Sequence, residues 1–270
     1  DKDVLACVNR NFDKNSFREK IGILNRAGAV FGLDLIYGLP TDTIAGFRQS
    51  LDYAVTLQPN NLDIFPLSVL PGTVLFDKAA SFEIKHLENS PYTVIETPDF
   101  SKKDLKEASV LSQACDVFYN QGKAVGWLFM ILETVNIAPS PFFEGFSRKL
   151  EKHNGKICLS ANKIKDLQLE YTKELFAEQG KKNLFPPMAD IIKLNSSLNQ
   201  SLVIGPSEES EKNLKIDLTS IPKLMPATLF ETLAYDFDDL QNIGELTFSE
   251  FIKHFSPSKC DIVTYNYCGE

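Results

Sequence analysis

The fold class of this chain is indicated most directly by one stretch, LDLIYGLP at residues 33–40. The stretch overlaps a nearly continuous apolar segment, residues 29–38, which is interrupted by Asp34. An apolar run of this length, followed by glycine and proline, is typical of a strand that is buried on both faces, as in parallel sheets. We therefore predict a buried β-strand that carries a carboxylate in its interior.

The segments on both sides of this strand predict an alternation of helices and strands. Residues 16–19 have a capping-box pattern, and the helix they begin ends near Gly28. A second helix follows Thr41 or Asp42, and a second buried strand covers residues 62–70. The order helix, strand, helix, strand favours a βαβ unit with two parallel strands. The buried stripe predicted for the second helix consists of Ile44, Phe47, Leu51 and Ala54.

Beyond about residue 80 the pattern becomes mostly helical. A helix begins after Ser101, and further helices are predicted near residues 123–134, 140–152 and 163–178. Residues 205–211 are polar and predict an exposed loop. The segments that then favour short strands are residues 215–218, 229–237 and 261–267, with a helix at Thr247 before the last.

Charge and hydropathy exclude several classes of partner. The chain has 36 acidic and 28 basic residues, a net charge of −8, which argues against general binding to nucleic acid or to anionic membranes. The longest strongly apolar run, residues 124–132, is about half of what a membrane-spanning helix needs. The first residues lack the features of a secretory signal. We expect a cytoplasmic protein with no nucleic-acid or membrane partner.

The metal-binding residue types are scattered along the chain. There are 5 cysteines without a C-x-x-C pair and 3 histidines without metal-ligand spacing. We therefore predict no metal site and no catalytic residue within this chain, and each cysteine is expected to be a small buried hydrophobe.

Three residues are candidates for binding a small molecule: Arg10, Asp34 and Ser68. A carboxylate in a buried strand needs a partner, and ligands of parallel α/β proteins gather at the carboxyl ends of the strands. Arg10 would supply a guanidinium for a carboxylate, Asp34 an acid for a ribose or an ammonium, and Ser68 a small residue beside which a ligand reaches the backbone. The set suits a nucleoside that carries an amino acid. Each residue could instead be structural, with Asp34 bonded to a neighbouring strand or to an arginine.

Three segments together resemble the radical S-adenosylmethionine (SAM) superfamily: VLACVNR at residues 4–10, LDLIYGLPTDT at 33–43 and FPLSVLPGT at 65–73. The resemblance is greatest to members with an N-terminal cobalamin-binding domain. It implies an α/β fold in which residues 1–80 are the C-terminal part of a partial parallel (β/α) barrel, and residues 81–270 are a mostly helical α+β accessory domain with a few short strands.

The same resemblance implies the roles of the three candidates. Arg10 would lie near the methionine carboxylate of SAM, Asp34 would meet the nucleoside, and Ser68 would mark a backbone contact near the adenine. The family's C-x-x-x-C-x-x-C loop, which holds a [4Fe–4S] cluster, is absent from residues 1–270. We therefore expect the chain to need the remaining N-terminal part of the same enzyme. That intact enzyme would cleave SAM reductively and act on a substrate that these residues do not define, with cobalamin as a further cofactor in some members.

Two other classes of function remain open. The chain could be a non-catalytic interaction module, which the missing cysteine loop favours. It could also be an independent hydrolase that uses Asp34, Asp63 or the acidic cluster at residues 236–239. That cluster lacks the glycine and the terminal glutamate of a calcium loop, and a solvated helix cap is the simpler interpretation.

Overall fold

The two predicted strands pair in parallel in the computed structural model, which describes residues 2–152 and 159–204. Strand β1 is Gly32–Tyr37 and strand β2 is Asn61–Pro66, and a helix, Ile44–Thr56, connects them. The register aligns Gly32 with Asn61 and Tyr37 with Pro66. Parallel pairing confirms the βαβ arrangement predicted from the alternation of elements.

Short helices and a second small sheet complete the described chain. In chain order the helices are α1 Lys2–Cys7, α2 Lys14–Arg26, α3 Ile44–Thr56, α4 Val74–Lys78, α5 Lys102–Cys115, α6 Leu128–Val135, α7 Pro139–Lys152, α8 Ala161–Glu178 and α9 Phe185–Ile204. A π-helical turn, Asp116–Gln121, continues α5, and a 3₁₀ turn, Lys182–Leu184, precedes α9. The second sheet pairs β3, Lys85–His86, with β4, Val94–Glu96, in antiparallel fashion.

Contacts within the chain divide it into two compact units. The first contains Asp1–Asn120 and Ala138–Lys152, and the second contains Gln121–Ile137 and the chain from His153 onward. The predicted first segment ended at about residue 80. The unit that holds the parallel strands also includes α5 and α7, since α5 packs against β2 and α7 packs against both α3 and α5.

The core of the first unit lies between one face of the parallel pair and its helices. Phe47 and Leu51 of α3 and Leu62 of β2 are almost completely buried. The Tyr37 ring packs against Phe47 and Phe100, with ring centres 5.5 and 6.5 Å apart. Each such side chain contributes about 1.5–3 kcal/mol through burial. This packing fixes the strands against the helices.

The second unit is helical in its described part. The contacts join α8 to α6 and to α9. Buried apolar side chains recur along α8 at helical spacing, at Ile164, Leu167, Tyr171 and Leu175. The helices predicted near residues 123–134, 140–152 and 163–178 are confirmed as α6, α7 and α8, whereas α9 was not predicted.

The prediction that β1 is buried on both faces is wrong. Gly32, Asp34 and Ile36, which share one face, are all exposed, and Ile36 retains 43% of its accessible surface. The reason is that α3 and α5 cover the opposite face, on which Tyr37 and Leu62 lie. Within the described residues, this long run of apolar residues thus forms a strand that is covered on one face only.

The predicted strand at residues 62–70 is also shorter than expected. It ends at Pro66, and the following residues turn to a different partner: Val69 N–H donates to Tyr92 C=O and Val94 N–H donates to Leu67 C=O, both at 2.9 Å. This extension joins the small cluster of buried side chains formed by Leu67, Val69, Ala79, Ile84 and Val94. The first part of the apolar run therefore belongs to the parallel pair, and Leu67 and Val69 bond to the chain at and near β4.

Helix beginnings were predicted with mixed success. The helix predicted to begin after Ser101 is confirmed, and Ser101 and Asp104 form a capping box in its first turn. In α2 the cap is Asp13 rather than Ser16, and in α3 it is Thr43 rather than Thr41 or Asp42. Asp13 lies upstream of the capping-box pattern, and its carboxylate accepts from Ser16 N–H, so the helix begins a turn earlier.

The described chain has an α/β fold that is mostly helical, with two small sheets. Two parallel strands are fewer than a barrel requires, so the partial barrel stays a proposal. Within residues 2–152 and 159–204, no helix combines the length and the apolar character needed to cross a bilayer. The predicted loop at residues 205–211, the later strands and the helix at Thr247 lie outside the described residues.

Candidate functional site

The exposed face of the parallel pair brings two carboxylates together. The register places Asp34 opposite Asp63 and Ile36 opposite Phe65. Neighbouring strands are about 4.8 Å apart, so the members of each pair are adjacent. Asn61 donates through Nδ2 to Asp63 Oδ2 at 2.7 Å. The result is an open surface with an acidic row beside an apolar row.

Asp34 does not have the buried environment that its sequence context predicted. Its side chain is exposed, so the cost of burying a charge does not apply to it within these residues. Among the described residues no hydrogen bond or ion pair reaches its carboxylate. The structural alternative, a bond to a neighbouring strand or to an arginine, is therefore not observed in this part of the chain.

The other two candidate residues lie apart from Asp34. Ser68 is partly buried two residues beyond the end of β2, in an isolated bridge with Thr93. Asp63 is opposite Asp34, and β2 continues for three residues beyond Asp63, roughly 10 Å, before the chain reaches Ser68. Arg10 is exposed after α1, and its backbone N–H donates to Leu5 C=O at 2.8 Å. A ligand that met both Asp34 and Ser68 would have to be elongated.

Backbone conformation and close contacts explain why residue 38, in the stretch LDLIYGLP, is a glycine. Gly38 has φ +79°, a conformation that side chains rarely adopt. A Cβ at this position would lie 2.9 Å from side-chain atoms of both Leu105 and Val94. The strand therefore ends where α5 and β4 approach its backbone most closely.

Asp42, in the loop after β1, has a buried carboxylate, whereas its sequence context indicated only a candidate helix cap. Asp42 is 8% exposed, and its Oδ1 accepts from Thr43 N–H at 2.8 Å. Burial raises the pKa of the Asp42 carboxyl above its ordinary value. A Cβ at Gly46 would lie 2.5 Å from Asp42 Oδ1, so glycine leaves the space that this carboxylate occupies. In the sequence, the feature that could have indicated this buried acid is Gly46, four residues after Asp42.

The outer edge of β2 is covered by side chains from α5 and its π-helical turn. Leu62 N–H donates to Asn120 Oδ1, and Asn120 Nδ2 donates to Leu62 C=O, both at 2.9 Å. Ser112 Oγ donates to Ile64 C=O at 2.9 Å. Pro66, the next residue facing this edge, has no N–H. Sequence reasoning missed this arrangement, since no local pattern connects Asn120 with a strand 58 residues earlier.

The outer edge of β1 has a different environment. Phe31 C=O and Tyr37 C=O accept hydrogen bonds from the β2 side, and alternation along a strand directs Gly32, Asp34 and Ile36 the other way. Within the described residues, no hydrogen bond is found for the backbone groups of these three outward residues. The sheet is thus closed along β2 and open along β1.

A separate group of charges surrounds a cavity of about 280 Å³ at the surface of the first unit. Arg48 Nη2 lies 2.7 Å from Glu107 and 3.0 Å from Glu144. The hydrogen bond from Arg48 lowers the pKa of Glu144. Lys103 and Lys106 also line the cavity. The ion pairs of Arg48 with Glu107 and Glu144 connect α3, α5 and α7, so these charges have a structural role.

No group of three or more metal-ligating side chains occurs within residues 2–152 and 159–204. Cys7 is partly buried, with Sγ 3.8 Å from Thr41 Oγ1. Cys115 is buried, and burial raises the pKa of its thiol far above the ordinary value. Its burial makes Cys115 poorly suited to act as a thiolate ligand. The other three cysteines lie outside the described residues.

Comparisons with known proteins do not extend these observations. No protein-family model matches this chain, and no curated protein matches it. A function must therefore be argued from the motifs and from the geometry of the open face.

Proposed function

We propose that this chain is the C-terminal part of a radical SAM enzyme and supplies the last strands of a partial (β/α) barrel. The motif segments at residues 33–43 and 65–73 contain the carboxyl ends of β1 and β2. Adjacent carboxyl ends of parallel strands are where α/β proteins bind ligands. The proposal therefore combines a sequence resemblance with a suitable arrangement of strands.

The observation that carries the proposal is the contrast between the two edges of this sheet. Parallel strands are normally covered on both faces, and a row of free N–H and C=O groups attracts further strands. Within the described residues the edge of β1 has such a row, whereas Asn120 and Ser112 occupy the edge of β2. A barrel that ends at β2 and continues beyond β1 would have this asymmetry. The remaining N-terminal part of the enzyme would supply the missing strands.

The described residues include groups that could meet SAM, whereas no group of three or more metal-ligating side chains is found among them. Asp34 is an accessible acid for the ribose or the ammonium group, and Arg10 is an accessible guanidinium for the carboxylate. The elongated separation of Asp34 and Ser68 is compatible with a ligand that extends from an amino acid to an adenine. The family's cysteine loop is absent from residues 1–270, so the [4Fe–4S] ligands would come from elsewhere in the intact enzyme.

In the intact enzyme the cluster would supply the electron for reductive cleavage of SAM. The residues of this chain would bind and orient the nucleoside, and the further strands proposed beside β1 would limit the access of water to Asp34. The proposal does not select a substrate, and cobalamin remains a second proposed cofactor. Cytoplasmic location and the absence of a nucleic-acid partner remain predictions.

The test is Asp34→Asn in the intact protein, with SAM binding measured by titration calorimetry and unfolding by thermal melting. A charge-assisted hydrogen bond to a ligand contributes about 1.5–3 kcal/mol, so we expect affinity to fall roughly ten- to more than a hundredfold. Asparagine is nearly isosteric, so the melting temperature should change little.

The matched control is Asp52→Asn, the same substitution at a structural acid. Asp52 accepts from Ser140 N–H at 2.6 Å and lies 3.1 Å from Ser140 Oγ. The Asp52→Asn substitution should lower the melting temperature and leave the affinity for SAM unchanged. Unchanged SAM affinity in Asp34→Asn, or a protein that binds no SAM before mutation, would refute the proposed role.

A non-catalytic interaction module is the second candidate, and the exposed apolar pair Ile36 and Phe65 favours it. The two candidates differ in the intact protein after anaerobic reconstitution with iron and sulfide. A radical enzyme acquires one site-differentiated [4Fe–4S] cluster, visible by electron paramagnetic resonance, and an interaction module does not. A hydrolase is less favoured, since no nucleophile lies with the Asp34 and Asp63 pair in the described residues.

A further inference from the structure

The buried Asn120 is placed in an unusual position by the π-helical turn that continues α5. The turn covers Asp116–Gln121, and Asn120 is 5% exposed. Its carboxamide contacts one residue of β2 twice, with the oxygen accepting from Leu62 N–H and the nitrogen donating to Leu62 C=O. These two bonds engage the N–H and the C=O that the strand directs towards a neighbour.

Neighbouring groups hold the carboxamide in this orientation. Asn120 Nδ2 also donates to Asp116 Oδ1 at 3.1 Å, which leaves the amide nitrogen directed towards acceptors. Tyr119 in the same turn donates from its hydroxyl to Pro59 C=O, just before β2 begins. Further back along α5, Ser112 occupies Ile64 C=O. The contacts therefore follow the strand edge from residue 59 to residue 64.

We propose that Asn120 acts as a substitute for a neighbouring strand and prevents strand addition at the β2 edge. A side-chain amide has the same donor and acceptor as a peptide group, so it satisfies Leu62 as another strand would. Unprotected edges pair with other chains, and natural proteins block them with side chains or proline. Ser112 bonds to Ile64 C=O at the following outward position, and Pro66, the outward residue after that, offers no N–H to another strand. This role does not depend on the proposed cofactor chemistry.

The first test is amide hydrogen exchange of the unmodified chain, resolved to single residues by NMR. Leu62 N–H should exchange as slowly as the β2 amides that bond to β1, although no strand of the described chain lies on its side. Exchange of Leu62 at the rate of an unprotected amide would overturn the proposal before any variant is made.

The second test compares Asn120→Leu with Asn120→Asp. Leucine has similar size and neither donor nor acceptor, so exchange of Leu62 N–H should accelerate roughly ten- to a hundredfold. Aspartate keeps the acceptor and loses the donor, so it should retain more protection of Leu62 N–H than leucine does. Equal protection of Leu62 in the unmodified chain and in Asn120→Leu would contradict the role.

The third test is self-association, measured by sedimentation of each variant relative to the unmodified chain. Asn120→Leu should associate more strongly, because its β2 edge becomes available. The control is Ser140→Ala, which removes a hydroxyl contact to Asp52 in the same unit without touching the edge. If Asn120→Leu associates no more than Ser140→Ala, the edge-blocking role is refuted. If Asn120→Leu does not fold, the exchange of Leu62 in the unmodified chain and in Asn120→Asp decides the question.

Discussion

The two faces of the parallel pair differ in what covers them, although they belong to the same two strands. On one face, Tyr37 and Leu62 pack under α3 and α5 and are almost fully buried. On the other, Asp34, Ile36 and Phe65 are exposed. The difference shows that a run of apolar residues does not by itself indicate which face of a strand is covered within the described residues.

The largest expected effect separates the faces directly. Phe47→Ala removes a ring that is 1% exposed, and truncation of a buried phenylalanine costs about 3–5 kcal/mol of unfolding free energy. Phe65→Ala removes a ring that is 51% exposed and should cost about 1 kcal/mol or less. Urea unfolding followed by circular dichroism measures both. Similar losses would mean that the two faces are covered to a similar extent in solution.

A smaller effect is expected where the covered face begins, at the first turn of α3. Gly46→Ala places a Cβ 2.5 Å from Asp42 Oδ1, so the buried carboxylate must move, at a cost of about 1–3 kcal/mol. The matched control is Gly22→Ala in α2, where the nearest atom, 3.3 Å away, is the flexible end of Arg26. That variant should gain about 0.5–1 kcal/mol from helix propensity. A stabilising Gly46→Ala would show that the loop yields without strain.

The pH dependence of stability tests the burial of Asp42 itself. Burial raises its pKa in the folded state, so its contribution is fully present below the unfolded pKa, about 3.9, and is lost as pH rises through the higher folded value. An asparagine at this position cannot ionise. The stability of Asp42→Asn relative to the unmodified chain should therefore increase from about pH 3.5 to about pH 7, measured by urea unfolding at each pH. A constant difference over that range would exclude a raised pKa.

The smallest effect is expected on the open face. Asp34→Asn changes an exposed side chain without a partner in the described residues, so the stability of this chain should change by less than about 0.5 kcal/mol. The same urea experiment measures it. A loss above about 1 kcal/mol would show that Asp34 has an intramolecular partner and would weaken its assignment to ligand binding.

The sequence predicted the covered face well because the information there is local. The helical spacing of Phe47, Leu51 and Ala54 identifies buried positions that the structure confirms. Gly38 also follows the end of β1, as expected, whereas β2 ends at Pro66, earlier than predicted. Such features follow from periodicity and from the conformational limits of single residues.

The open face and the closed edge could not be predicted in the same way. Hydropathy suggested a buried Asp34, because it cannot distinguish a covered face of the strand from one that is uncovered within the described residues. The bonds of Asn120 to Leu62 depend on a π-helical turn and on a pairing across 58 residues. Neither the turn nor the pairing produces a periodic pattern in the sequence, so both are seen only in the three-dimensional structure.

The distance along the chain between Leu62 and Asn120 has a consequence for protein synthesis. At about 5–20 residues per second, the ribosome adds the intervening 58 residues in about 3–12 s. Throughout that interval the nascent chain contains β2 but not the side chain that closes its edge. The edge-blocking role proposed for Asn120 therefore leaves the β2 segment without this protection while residues 63–120 are being synthesised.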